Sequence, residues 1–169
     1  YVVKPLNSAA TEGVVFAQGK REVETALKNA AWQQKNDLGE VNLGFIVQPF
    51  ISGPEYVVDM VAFDGTYIVA SVCKYTKIQK NGSMFVYESL DTLDPRAEEL
   101  QPLTDYARQA AAALGVRVGP IHMEIIWSEA GPVMIEAGGR LHGGIAPLLF
   151  QQVYHPDLLS LSIDSYLGH

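Results

Sequence analysis

Of the 169 residues only Cys73 is a cysteine, so no disulfide can close within the chain and no cysteine-rich zinc site can form. Within the apolar run over residues 67–73 it reads as a small packed hydrophobe. Basic residues are also scarce: 12 Lys and Arg stand against 19 Asp and Glu, for a net charge of -7. They are scattered rather than clustered, which excludes the phosphate-backbone footprint that DNA or RNA binding needs. No apolar run approaches the ~18 residues of a membrane span, and no charged and apolar leader opens the chain. The reading is therefore a cytoplasmic protein with no membrane partner. No Gly-Lys-Ser/Thr closes a glycine loop and no Gly-x-Gly-x-x-Gly occurs, which removes two common nucleotide fingerprints. There is no Ser-His-Asp or Cys-His arrangement for a covalent mechanism, no internal repeat and no low-complexity tract.

What is present is an ordinary globular composition, 48% hydrophobic, with enough bulk to bury a core. The chain opens directly as a strand at Tyr1-Val2-Val3, without an initiating Met, and reads as a piece of a longer protein whose upstream domain is missing. Residues 1–4 and 14–17 read as strands joined by a loop of small residues. Residues 20–35 place Val23, Ala26, Leu27, Ala30 and Ala31 at helical spacing, which predicts a helix covering a sheet face. A strand follows over 45–50. Residues 55–63 and 66–75 alternate around Asp64-Gly65, a strong hairpin signal, whereas 75–93 is polar and resists assignment. A helix over 94–114 with Leu100, Leu103, Tyr106, Ala107, Ala110 and Leu114 on one face stops at Gly115. Two closing helices are expected over 145–153 and 156–167. Hairpins flanked by helices fit an α+β architecture better than a parallel doubly wound sheet.

The chemistry concentrates late in the chain. His122-Met123-Glu124-Ile125-Ile126-Trp127 reads as a half-buried strand, Ser128-Glu129-Ala130-Gly131 as a turn and Pro132-Val133-Met134-Ile135-Glu136-Ala137 as the returning strand. A register that sets Glu124 against Glu136 brings their Cβ atoms to roughly 5 Å on one face; a slip of one residue turns them to opposite faces. Facing carboxylates repel, and a hard dication such as Mg2+, held by one or two carboxylates and substrate phosphates, removes the repulsion. Arg140 follows four residues after Glu136. Taken alone, the hairpin reads slightly better as the solvated face of a half-covered antiparallel sheet. At the other end Lys4-Pro5, a small-residue loop and Gly13-Val14 have the makings of a phosphate cover, a cation at a strand end followed by backbone amides that an anion can approach.

The order Val3-Lys4-Pro5, small loop, Gly13-Val14, then Gln48-Pro49-Phe50-Ile51-Ser52-Gly53-Pro54-Glu55-Tyr56, then His122-Met123-Glu124, then Ile135-Glu136-Ala137-Gly138-Gly139-Arg140 and Gly143-Gly144 resembles the ATP-grasp ligases over nearly the whole chain. It is strongest for the carboxylate-amine ligases that join amino acids into dipeptides. In much of that superfamily an Asn stands where this chain has Gly138, so one metal ligand would be absent. The resemblance implies two parts: residues 1–47 as the remainder of a small subdomain with phosphate loop and helix, and 48–169 as a C-terminal subdomain with the metal site. It implies that Lys4 contacts the ATP phosphates, that the loop with Ser8 and Gly13 folds over them, and that Gln48 and the backbone near Ile51 hold adenine. A Glu usually stands at the position of Gln48, whose amide oxygen can still accept from the adenine amino group. Glu55 would bind the ribose hydroxyls. Glu124 and Glu136 would hold Mg2+, or Mn2+ in its place, and Arg140 would clamp the transferring phosphoryl group and the acyl phosphate that results.

The activity so implied is an ATP-dependent ligase whose partners are a small-molecule carboxylate and an amine. The alternatives are a carboxylase or purine-pathway enzyme of the same fold, or a nucleotide-binding fragment without catalysis. Oligomeric state is left open, a homodimer included. Three further groups are read as structural or undecided: His122 as a hydrogen-bonded structural histidine, Lys74, Tyr75 and Lys77 as a solvated cluster at a strand end, and His142 as either a substrate contact or a turn cap.

Overall fold

The computed structural model describes residues 1–8, 11–37, 39–80 and 83–168, with the backbone alone at 79, 80 and 83–85. It divides into two compact units, Tyr1–Ile51 and Ser52–His169, and its elements are the antiparallel sheets and few helices of an α+β protein.

In the first unit, strand β1 (Val2–Pro5) lies between β2 (Val15–Phe16) and β3 (Phe45–Gln48), both antiparallel to it. The pairing of Val2 with Gln48 keeps Gln48 in this sheet. Helix α1 (Lys20–Asn29) accompanies the sheet but buries none of its own residues. It ends earlier than the spacing over 20–35 predicts. Ala30 is already extended, the Trp32 indole donates to the Leu27 carbonyl, and residues 31–42 turn back through a bridge between Lys35 and Val41. Local hydrogen bonds of Asn36 and Asn42 with nearby backbone groups, in which Glu40 N donates to Asn36 Oδ1 and Asn42 Nδ2 donates to Ala31 O, offer this segment an alternative to the helix.

In the second unit five strands run in the order β6-β5-β4-β7-β8. Their ranges are β4 (Glu55–Phe63), β5 (Thr66–Lys80), β6 (Ser83–Leu93), β7 (Val118–Ser128) and β8 (Gly131–Gly138). The β4–β5 turn places Asp64 at φ 48° and Gly65 at φ 87°, the doubly positive pair that a two-residue hairpin needs. The segment over 75–93 that resisted assignment is the far half of β5 with β6, a long two-stranded ribbon. Asn81 and Gly82 within it lie outside the described residues.

One face of this sheet is closed by α2 (Gln101–Ala113), entered through a short 3₁₀ turn (Glu98–Leu100) and carrying Pro102 in its first turn, where a missing N–H costs nothing. Leu103, Ala107 and Ala111 pack there against Met60, Val72, Ile121, Met123 and Ile125. The opposite face is covered in part by α3 (Ala146–Phe150) and α4 (Leu158–Leu167), through Phe150, Tyr154, Leu158 and Leu161 on Val57 and Cys73. The Asp157 carboxylate caps α4 by accepting from Leu159 N and Ser160 N, and Gly168 closes it in the left-handed conformation. Burial first, then the nearby Asp59 charge, pushes the Cys73 thiol up to about 12, in keeping with a packed, unreactive side chain.

Candidate functional site

The face shared with α3 and α4 is apolar only in part. Three rows of side chains cross it at right angles to the strands. In the first row Ser71, Asp59 and His122 are neighbours on β5, β4 and β7; in the second, Val57 stands beside Glu124, which faces Glu136 on β8; in the third, Tyr75 stands beside Glu55. Glu124 and Glu136 are therefore direct cross-strand partners. A bulge immediately after Glu124 pairs Ile125 with Met134. Met134 and Ala137, three residues apart, both pack toward α2, which strict alternation forbids. The extra residue accommodates this and leaves Glu136 on the face of Glu124.

Around that pair the charges are dense. Glu124 is mostly buried and Glu136 exposed. Burial pushes the Glu124 carboxyl up, but the His122 hydrogen bond and charge, with Lys77 and Arg140, outweigh it and hold the carboxyl below its usual value. Glu55, its side chain 10% exposed, pairs with Lys77 at 2.7 Å. Its pKa stays raised because burial exceeds what Lys77 returns, and Glu124 and Glu136 add to the rise. Only one Glu55 oxygen meets Lys77; Oε1 is buried without a hydrogen-bond partner among the described residues, a state that costs roughly 1–3 kcal/mol unless a ligand supplies the partner. Lys77 also lies 4.5 Å over the Tyr87 ring, and Tyr75 and Tyr87 meet edge to face at 4.7 Å. Burial and the neighbouring carboxylates keep both phenols protonated well above their ordinary range.

Beneath these groups lies a wholly buried polar cluster. Asp59 accepts from Ser71 Oγ at 2.7 Å, His122 Nδ1 at 2.8 Å and His142 Nδ1 at 2.9 Å. His122 Nε2 is 3.5 Å from Glu124 Oε1, and His142 Nε2 is 3.0 Å from the Tyr75 hydroxyl. Burial lowers the His122 pKa, yet the bonds to Asp59 and Glu124 more than offset it and raise the value to about 9. The same bonds outweigh the burial of Asp59 and hold its carboxyl low. Ligand atoms of Asp59, His122 and His142 lie within 4.8 Å of one another, a spacing open to a metal, but each already has a hydrogen-bond partner, which leaves no unmet demand.

Arg140 follows β8 in a loop with Gly138, Gly139, Gly143 and Gly144 around it. It donates to the Leu141 carbonyl at 3.0 Å and is otherwise exposed, near enough to Glu124 and His122 to shift both. Its stem lies over Gly138, where an added Cβ would come within 3.3 Å of Arg140 Cγ and Nε. The space of a side chain at position 138 is thus filled by Arg140.

In the first unit Val2, Lys4 and Gln48 share one face of the small sheet, while Val3 is buried on the other. Ser8 and Gly13 line a cavity of about 720 Å³ together with Val3, Pro5, Val15 and Phe45. Ser8 Oγ donates to the Glu12 carbonyl, whose carboxylate in turn accepts from Asp37 N. Gly13, at φ 71°, packs on the Pro5 ring. Ala9 and Ala10 of the expected phosphate loop lie outside the described residues. Within this unit Lys4 and Gln48 share a sheet face, and Ser8 and Gly13 line a cavity with Val3 and Pro5; Ile51 ends the unit.

Two expectations change. Tyr75 and Lys77 are not a solvated cluster: Lys77 is 17% exposed in an ion pair and Tyr75 is hydrogen-bonded to His142, while Lys74, one residue away on the opposite pleat, is exposed. His142 is neither a turn cap nor open to a substrate, being 6% exposed and held by Asp59. Asp59, Ser71, Lys77 and Tyr87 were missed as members of the group. Asp59 carried a signal, a lone charge within Val57-Val58-Asp59-Met60-Val61, since a charge inside a buried strand requires partners.

Residues 1–147 match the family model of the ATP-grasp domain. The chain is 32% identical over 151 residues to dapdiamide A synthase of Enterobacter agglomerans, across 89% of this chain and 35% of that protein. Among solved structures it is similar to the L-amino acid ligase of Bacillus licheniformis, with a TM-score of 0.73 at 24% identity over 96% of this chain and 37% of that one. It is also similar to the biotin carboxylase of Campylobacter jejuni, with a TM-score of 0.70 at 17% identity over 99% of this chain and 37% of that one. These two likenesses concern the fold. The chain spans about a third of the length of this curated relative, dapdiamide A synthase.

Proposed function

The chain belongs to the ATP-grasp family, and from that premise we propose that it carries the metal-phosphate site of an ATP-dependent ligase that joins a carboxylate to an amine. The observation that carries the reading is the direct facing of Glu124 and Glu136 beside Arg140. Four carboxylates, Asp59, Glu55, Glu124 and Glu136, meet three cations, Lys77, Arg140 and protonated His122, so the face keeps one negative charge in excess, and a dication there would turn the balance positive and suit it to phosphate. The donor set is all oxygen and suits Mg2+, which keeps water or phosphate in its remaining positions. Glu124 and Glu136 would hold the ion, and when bound it would neutralise charge on the phosphates.

The chain's own residues have the remaining tasks. A carboxylate is a poor electrophile; transfer of the ATP γ-phosphoryl group to its oxygen releases ADP and gives an acyl phosphate. The amine then attacks the carbonyl carbon, phosphate leaves and the amine proton passes to solvent. Such transfer needs positioning and charge neutralisation rather than a side-chain nucleophile. The Arg140 fork offers paired donors to the phosphoryl oxygens. Lys4, with the Ser8 and Gly13 loop, would cover the phosphates, Gln48 and the backbone at Ile51 would hold adenine, and the unpaired Glu55 oxygen would accept from a ribose hydroxyl. The sequence resemblance to ligases that join amino acids, with the fold shared with an L-amino acid ligase, supports amino acids as substrates.

The test is ADP release by the full protein supplied with ATP, Mg2+ and pairs of amino acids, with bicarbonate alone as control. ADP formation that needs both an acid and an amine is expected. ADP release driven by bicarbonate, or none with any pair, overturns the reading.

A further inference from the structure

We infer that Asp59 is a positioning residue that locks the Arg140 loop to the Glu124 strand, acting through His142 on one side and His122 on the other. The inference rests on the ligase reading above and extends it to side chains that touch no reacting atom. Asp59 sits on the central strand of the larger sheet and is 1% exposed. An ionised carboxylate can only accept, so each imidazole must present an Nδ1–H to it. That choice turns each Nε2 outward: toward Glu124 Oε1 from His122, at 3.5 Å, and toward the Tyr75 hydroxyl from His142, at 3.0 Å. One buried group thereby sets the orientation of two rings, one against Glu124 and the other against Tyr75.

The His142 arm is the more consequential. Its ring is clamped between His122 at 4.7 Å and Phe150 at 5.3 Å, and it is two residues from Arg140. Gly138, Gly139, Gly143 and Gly144 surround the two residues, and glycine backbone gives little restraint of its own. An anchor that spans 83 residues of sequence therefore does for this loop what its backbone cannot, and holds the guanidinium stem over Gly138. Burying this many polar groups is seldom a net gain in stability over apolar packing, so the cluster is explained by what it orients.

The experiment uses the full protein with three variants. Asp59→Asn keeps the volume but removes the charge and one acceptor. His142→Leu removes the anchor. His142→Asn keeps a donor where Nδ1 stood. The expected kinetics are a fall in kcat of about 10- to 100-fold for Asp59→Asn and His142→Leu, the range for partners that orient a metal site. The KM for ATP should stay within about twofold, and His142→Asn should recover most of the loss, a pattern that mere destabilisation would not give. In parallel, NMR of protein labelled with 15N-histidine should show two imidazole Nδ1–H signals protected from solvent exchange. Both should vanish in Asp59→Asn and one in His142→Leu. Wild-type kcat in both loss variants overturns the inference, as does absence of the two protected signals from the wild type. If no ligase turnover exists at all, the ligase reading fails and the positioning role fails with it, while the NMR signals still report whether the cluster forms.

Discussion

The two faces of the larger sheet are buried for different reasons. Toward α2, Met60, Val72, Ile121, Met123 and Ile125 meet Leu103, Ala107 and Ala111 in an apolar cluster, and the polar groups beside it, Thr104 and the Tyr106 hydroxyl, carry no charge and bond backbone groups. Removing that surface from water, worth roughly 25 cal/mol per Å², accounts for the apolar residues there. Toward α3 and α4, the apolar group of Val57, Cys73, Phe150 and Leu158 gives way within two residues along β4 to Asp59, with His122, His142 and then Glu124, Glu55 and Lys77. The comparison teaches that one sheet separates stability from chemistry by face, and that polar burial which stability does not require marks the working side.

The largest expected effect lies on that side. Glu136→Gln removes one carboxylate of the facing pair from an exposed position and should lower metal-dependent turnover of the full protein by about 10³-fold, beyond the 10- to 100-fold typical of a merely supporting group. Circular dichroism should be unchanged; retained turnover would remove Glu136 from the metal site. Leu103→Ala, on the α2 face at 0% exposure, should cost about 3 kcal/mol in unfolding and leave the Mg2+ concentration for half-maximal rate untouched. A shifted Mg2+ dependence would break the separation of the faces.

Next comes Arg140→Lys, which keeps the charge and loses the planar fork. A fall in kcat of about 100-fold is expected, without change in thermal unfolding because the guanidinium is exposed. Near-normal turnover would count against the clamp.

The smallest effect is the pH dependence of stability, measured by unfolding in the presence of a chelator. His122 is raised from 6.5 to about 9, so its contribution is complete below pH 6.5 and is lost as pH rises toward 9. Asp59 is lowered from 3.8, so its contribution is present above that pH and is lost on acidification. Stability supplied by the pair should be level from about pH 4 to 6.5 and decline above. Asp59→Asn should flatten the decline, and an unchanged slope would show that the pair does not titrate as a unit.

Much of this was legible in the sequence where patterns are local. The hairpin of Glu124 and Glu136 follows from alternation about a four-residue turn, and the Asp64-Gly65 hairpin from turn chemistry. The bulge after Glu124 left no such trace. Residues 75–93 resisted because Tyr75, Lys77 and Tyr87 find partners across the ribbon and in Glu55 and His142, which no local pattern shows. The helical spacing beyond residue 29 misled because Trp32 and Asn42 bond backbone groups nearby. Asp59 stood out as a charge in an apolar run, but its link to His142 spans 83 residues of sequence and no local pattern could disclose it. No helix among the described residues is long and apolar enough to cross a membrane.

The central claim is that the facing glutamates hold the divalent ion. The most direct test is a crystal structure of the full protein with Mn2+ and a non-hydrolysable ATP analogue, read by anomalous scattering. A peak is expected within direct coordination distance of carboxylate oxygens of both Glu124 and Glu136, against the analogue's phosphates. A peak seated instead among Asp59, His122 and His142, or none near Glu136, would contradict it.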